Sequence, residues 1–282
     1  MAPDQASGMN TDAQFAGSIP ALYEECLVPV LFEPFAEDLV ARARAIAPSS
    51  VLEIAAGTGV VSYRLASDLP NARNVATDLN PAMLDVAARR GPPDNLTFKP
   101  ADAQLLPFDD AEFELVVVQF GVMFFPDKVA AYREARRVLV PGEILLFIVW
   151  DSLQANPGSA AFHDAVRDAV PEPKPQFLSR TPFGYHDAAV IEQHLRDARF
   201  SEIRIERVER SSPPGSPPSR APSAALDGRY FKKPLRPPPT LSSSLRGSSS
   251  AQIARCCGVR RACTSGRSSA FWYCCCGLSR RQ

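Results

Sequence analysis

The sequence predicts an α/β fold in three layers: one mostly parallel sheet with helices on both faces. Three observations carry that reading. From Val51 onward, short apolar runs alternate with segments of helical period, as parallel strands joined by crossover helices do. The first run, Val51-Leu-Glu-Ile-Ala55, leads through Ala56 into Gly57-Thr-Gly59 and then into a helical segment, which reads as strand, tight turn and helix start. A second short run, Val75-Ala-Thr77, ends about twenty residues later on an acid, Asp78.

In chain order, residues 1–18 are small and polar and are expected to be disordered. Ile19–Ala47 is apolar-rich with a roughly helical period, interrupted by Pro29 and Pro34. Val51–Ala55 is the first expected strand, Val60–Leu69 the first helix of the alternating part, and Val75–Thr77 the second strand. Asn80 caps the next helix, with Pro81 at its first position, and that helix runs to Arg90. Leu96–Pro100 and Phe113–Phe120 are the third and fourth strands, the latter apolar enough for a central place. Asp127 caps a helix to Val140, Pro141 and Gly142 read as a turn, and Glu143–Trp150 is the fifth strand. Asp151–Gly184 is proline-rich around one amphipathic segment, Ala160–Val170. Asp187–Arg199 reads as a helix and Ser201–Glu209 as the sixth strand. Beyond Ser211 no period is legible, so the sheet is expected to lack its final strand and 211–282 to form a disordered tail.

A chain of 282 residues forms one large domain or two small ones, and 45% hydrophobic residues suffice for a core. The formal net charge of zero conceals an asymmetry: residues 1–210 hold 30 acids and 19 bases, whereas 211–282 hold 12 bases and one acid, Asp227. The acidic part argues against nucleic acid as its partner. No apolar run reaches the ~18 residues of a membrane span. Met1–Asn10 lacks the regions of a signal peptide, and Cys26 is the only cysteine before residue 211, which together fit a cytoplasmic protein.

Three readings suit the tail. It is a basic arm for nucleic acid or acidic lipid, a metal site built from Cys256, Cys257, Cys263 and Cys274 to Cys276, or the product of a shifted reading frame in a GC-rich gene. The last matches best a stretch of Ser, Pro, Arg and Cys without core pattern. No CxxC pair or histidine supports the second, so no metal is expected.

The block Leu52-Glu-Ile-Ala-Ala-Gly-Thr-Gly59 resembles the first motif of the class I S-adenosylmethionine-dependent methyltransferases. Thr77-Asp-Leu-Asn-Pro81 resembles their second, and Ala101-Asp-Ala-Gln-Leu-Leu-Pro-Phe108 their adenine-holding loop. Three motifs in order are far more specific than one. The resemblance spans roughly Ile19 to Arg210 and extends to C-methyltransferases of the ubiquinone and menaquinone biosynthesis type and their natural-product relatives.

That resemblance implies a Rossmann-like methyltransferase fold, S-adenosylmethionine as cofactor, and a small-molecule acceptor methylated by in-line displacement. It leaves the acceptor atom and the oligomeric state unread. Glu53 anchors the glycine loop or reaches the methionine amino group, and Gly57 and Gly59 make room for the cofactor. Asp78 accepts from both ribose hydroxyls, while Leu79 and Met83 flank the adenine. Asp102 accepts from the adenine amino group, with the Ala103 backbone beside it. Gln119 faces the methionine carboxylate or the substrate, and Tyr23 reaches the methionine part from a lid. His186 is the candidate catalytic base for a phenol-like acceptor. His163, His194 and the Arg133, Arg136, Arg137 cluster read as surface residues. A nicotinamide-dependent oxidoreductase is the rival reading, opposed by Ser62 at the third glycine position, by Glu53 and by the Asp102 loop. A remnant disabled by its C-terminus is the other.

Overall fold

Parallel strands need crossover connections, and most of the chain is spent on them. The computed structural model describes residues 19–211 and 268–277. A helical turn, α1 (Ile19–Leu22), runs into a π-helical strap, Tyr23–Phe32, and then α2 (Glu33–Ile46). There follow β1 (Ser50–Ile54), α3 (Val60–Asp68), β2 (Arg73–Asp78), α4 (Pro81–Ala88), β3 (Leu96–Pro100) and β4 (Phe113–Gln119). The remainder is α5 (Lys128–Val138), β5 (Leu139–Trp150), α6 (Pro157–Ala169), α7 (Phe177–Arg180), α8 (Ala188–Asp197), β6 (Glu202–Ser211) and β7 (Ser268–Gly277).

The expected helix starts are capped as the sequence implies. Asn80 accepts from the Ala82 N–H at 3.0 Å, Asp127 from Ala130 at 2.9 Å and Asp187 from Ala189 at 2.8 Å.

The sheet has seven strands in the order β3-β2-β1-β4-β5-β7-β6, parallel from β3 to β5. The order reverses direction between β1 and β4, and ligands of open α/β sheets bind at the carboxyl ends there.

The absence of a final strand, expected from the sequence, is overturned. β7 lies inside the sheet, antiparallel to β5 over seven residue pairs and to β6 over ten. A stretch within the supposed tail therefore completes the fold, and nothing in the structure supports a shifted reading frame. Residues 1–18, 212–267 and 278–282 lie outside the described residues, and with them the expectations for the N-terminus and for Cys256, Cys257 and Cys263. Among the described residues no His, Cys, Asp and Glu group could hold a metal, and no helix is long and apolar enough to cross a membrane. Pro141 and Gly142 do not make a turn between elements either. They lie inside β5, where its register against β4 shifts between Phe113 and Leu115, the strand position that tolerates a missing N–H.

Side chains of β7 alternate between two helical layers. Tyr273 lies under the Arg42 guanidinium of α2, 3.9 Å from the ring centroid. Arg42 is itself buried and pairs with Asp38 at 3.3 Å and Glu206 of β6 at 3.1 Å, so its charge is compensated from both sides. On the opposite face, Cys274 and Cys276 lie near Tyr132 of α5. The Tyr132 hydroxyl is 3.4 Å from Tyr185, which in turn meets His194 Nδ1 at 3.0 Å. Burial pushes the Cys274 and Cys276 thiols well up, so both serve as small hydrophobes.

Tyr273 is fully buried, so Tyr273→Ala is expected to destabilise the chain by about 3 kcal/mol or more, read from urea unfolding midpoints. A loss below about 1 kcal/mol would mean that β7 is peripheral to the fold.

Candidate functional site

β1 and β4 both end in left-handed backbone, at Ala55 (φ 58°) and Phe120 (φ 51°). Neither residue is glycine, so both turns carry strain of the kind that gathers at functional sites. Gly121 lets the two ends pass: a Cβ there would lie 2.5 Å from the Ala55 Cβ.

The two glycines of the loop between β1 and α3 have separate tasks. Gly57 (φ 57°) faces the strap and α4, where a Cβ would find the Met83 Cε at 3.6 Å and the Tyr23 ring at 3.9 Å. Gly59 (φ 83°) faces inward, where a Cβ would meet Ala87 at 3.2 Å and Phe98 at 3.4 Å. Gly59 thus serves packing of the loop on α4 and β3, whereas Gly57 faces the Tyr23 strap.

Two carboxyl groups flank this loop. Glu53, in the middle of β1, is 3% exposed and accepts from Ser62 Oγ of α3 at 2.5 Å. Burial lifts its carboxyl to about 8, the Ser62 bond opposes this, and Asp78 adds to it. Glu53 therefore braces the helix start behind the glycine loop as a neutral acid at neutral pH. Asp78 ends β2. Its Oδ2 accepts from the Gly57 N–H and its Oδ1 from the Asn80 N–H, both at 2.8 Å. Burial raises its carboxyl, against those two N–H groups. Each oxygen keeps capacity for a further donor. The Tyr23 hydroxyl is pushed up by burial and by Asp78, Glu24 and Glu53, which places the strap's tyrosine among these acids.

Of the remaining predicted residues, Leu79 is 62% exposed at the rim, and Met83 is buried beneath the loop. Asp102 Oδ1 accepts from the Gln104 N–H at 2.8 Å and from its side-chain amide at 3.4 Å, which leaves Oδ2 for a ligand donor. Ala103 beside it is buried. Gln119 ends β4 and donates from Nε2 to the Phe32 carbonyl at 3.1 Å. Its Oε1, like Thr58 Oγ1 in the glycine loop, is buried with no hydrogen-bond partner among the described residues. Such orphaned acceptors border a ligand site or are unfavourable. His186 stands apart: its Nδ1 donates to the Phe183 carbonyl at 2.8 Å, and no described bond joins it to the Glu53–Asp78 cluster.

Beside Gln119 an aromatic group closes the carboxyl ends of β4 and β5. Phe120 stacks on Trp150 at 3.9 Å between centroids, Phe35 meets both edge-on, and Phe32 and Phe183 lie against Trp150 at 6.5 and 5.8 Å.

Sequence reasoning gave no role to Ser62 beyond its misfit to a dinucleotide loop, and none to Gly121 or Arg90. Ser62 lies nine residues beyond Glu53, on the helix that follows, and that pairing of a strand acid with a hydroxyl was the available signal.

Residues 51–142 match a methyltransferase domain family. An uncharacterized protein of Mycobacterium tuberculosis is 35% identical over 151 residues, which are 52% of this chain and 52% of that protein. The demethylmenaquinone methyltransferase of Thermus thermophilus is 38% identical over 122 residues, 40% of this chain and 56% of the relative. The ubiquinone/menaquinone biosynthesis C-methyltransferase of Hahella chejuensis is 39% identical over 116 residues, 39% and 46% of the two chains. Over residues 51–142 the chain is thus similar to methyltransferase domains, and its motifs resemble those of the class I S-adenosylmethionine-dependent enzymes. The chain spans about half the length of the curated relatives it matches. A solved structure of a putative O-methyltransferase from Nostoc punctiforme shares the fold, with a TM-score of 0.53 at 19% identity over 67% of this chain and 56% of that one.

S-adenosylmethionine is the cofactor of the methyltransferases whose motifs these resemble, and the residues present fit it: a carboxylate with capacity on both oxygens, a glycine facing the strap, and two buried acceptors without a partner among the described residues.

The state of Glu53 is testable without any ligand. Its folded carboxyl keeps a proton that the unfolded chain loses near its ordinary value, so its contribution to stability falls as pH rises between the two values. Relative to a Glu53→Gln variant, the parent is expected to lose about 1.4 kcal/mol per pH unit between about pH 5 and 8, levelling above. Parallel stability curves from urea titrations at pH 5, 6, 7, 8 and 9 would show instead that Glu53 is ionised throughout.

Proposed function

We propose that this protein moves a methyl group from S-adenosylmethionine to a small-molecule acceptor by in-line displacement. The observation that carries the reading is Asp78, a carboxylate fixed by two backbone N–H groups whose two oxygens still have room for the paired hydroxyls of a ribose. When bound, the cofactor supplies the reactive methyl group itself. The chain's own residues bind, orient and exclude water.

Asp78 takes the ribose. Asp102 Oδ2 and the Ala103 backbone take the adenine, with Leu79 and Met83 along its faces. Glu53 acts through Ser62 to hold the loop, leaving the methionine part to Thr58, Gln119 and Tyr23. The rings of Phe32, Phe120 and Trp150 beside Gln119 favour an apolar, planar acceptor and keep water from the reacting atoms. The relatives named for menaquinone and ubiquinone biosynthesis are consistent with such an acceptor. His186, bonded to the Phe183 carbonyl, takes no step.

The oxidoreductase rival is disfavoured because Ser62, at the position of a third glycine, is engaged by Glu53. The methyltransferase unit comprises 19–211 together with 268–277, and three buried free thiols in β7 suit a reducing cytoplasm.

Calorimetry with S-adenosylhomocysteine tests the assignment, with NADH as the control ligand. The parent chain is expected to bind the first and not the second. Asp78→Ala should weaken binding by at least about 2 kcal/mol, since it removes charged acceptors from two hydroxyls. Equal binding by the variant, or binding of NADH instead, would sink the assignment.

A further inference from the structure

The strap Tyr23–Phe32 lies against the glycine loop and pairs with no strand of the sheet. It is wound as a π-helix and contains Pro29, which lacks an N–H, so it depends on anchors outside itself. Two polar anchors are visible among the described residues. At its far end the Phe32 carbonyl accepts from Gln119. At its near end Glu24, the neighbour of Tyr23, pairs with Arg90, which follows α4.

Arg90 does more than pair. The same nitrogen, Nη2, donates to the Thr58 carbonyl at 2.9 Å, between the two glycines of the loop. Its guanidinium lies over the Tyr63 ring at 5.2 Å, and Tyr63 in turn donates to the Ala87 carbonyl at 2.8 Å, so the arginine rests on a fixed shelf. The other Glu24 oxygen, Oε2, is buried without a hydrogen-bond partner among the described residues. The carboxylate is therefore committed to Arg90, and losing that partner would leave a partly buried charge unpaired.

We infer that Arg90 is a positioning residue for the cofactor: through Glu24 and the Thr58 carbonyl it clamps the Tyr23-bearing strap onto the glycine loop. The inference rests on the cofactor reading above. Tyr23 roofs the same side of Gly57 that the cofactor would approach, so the strap must lift for exchange and settle for binding. The clamp governs how long the settled state lasts. It acts on dissociation more than on association, as changes within one interface usually do.

The full chain and its Arg90→Ala, Glu24→Ala and double variants are compared in two measurements. The first is stopped-flow dissociation of S-adenosylhomocysteine. Each single variant is expected to release it about three to five times faster, with the double variant no faster than either single. Arg90→Lys, which keeps the charge, should recover part of the loss. The second is hydrogen exchange of the strap amides in ligand-free protein, expected to quicken by a similar factor in the same variants. A chain that binds S-adenosylhomocysteine with release and exchange unchanged in the variants overturns the clamp alone, as do additive effects. A parent chain that fails to bind it overturns the cofactor reading, and the role of the clamp with it.

Discussion

The carboxyl end of β1 depends on how one short turn, Ala55 to Gly59, is held between two acids. Glu53 sits behind it in a place too dry for a free charge, keeps its proton and braces α3 through Ser62. Asp78 sits beside it at the strand end, where backbone N–H groups from two loops converge on its oxygens. The same functional group thus braces a helix on one strand and gathers loop N–H groups on its neighbour. What separates them is depth: Glu53 lies in the middle of β1, Asp78 at the last residue of β2. Parallel pairing of the two strands fixes that offset, with Glu53 opposite Ala76 and Ile54 opposite Thr77. Sheet register therefore sets where a carboxyl is neutral and where it is available to a ligand.

The opposite half of the sheet meets a different constraint. β7 has both edges paired and both faces covered, yet its sequence is Ser-Ser-Ala-Phe-Trp-Tyr-Cys-Cys-Cys-Gly. Small thiols fill the positions where β-branched residues are usual, and Tyr273 supplies the bulk. The buried Arg42 with its two acids spans α2, β6 and β7, so a polar cluster fastens three elements that apolar contact alone would leave free to slide.

Much of this was legible in the sequence. Six strands and their order along the chain followed from apolar runs and caps, because a parallel strand buried on both faces is a continuous apolar word and a capped helix start has its own spelling. Glu53, Gly57 and Asp78 come together in space because their spacing along one strand–turn–helix unit and its parallel neighbour brings them there. β7 was illegible for two reasons. Its cysteines carry no period, and its partners in β5 and β6 are both distant in the chain, so no local signal marks it as strand. Arg90 and Gly121 were missed on similar grounds. Each matters through a contact across space, with Glu24 and with Ala55, and a single sequence holds no trace of such pairs. Gly59 was read together with Gly57 as making room for the cofactor, and the structure adds that its missing Cβ accommodates Ala87.

The place of β7 also sets a timetable. β5 ends at Trp150 and β6 at Ser211, and neither can satisfy its inner edge until residues 268–277 arrive. A ribosome adding about 5–20 residues per second needs on the order of ten seconds to cover that distance. Throughout it, the nascent chain presents a long apolar strand, Ile144 to Trp150, with an open row of backbone donors and acceptors. The elongating chain is thus a natural client for chaperones, and its yield in a cell should depend on how fast the ribosome reaches the last strand.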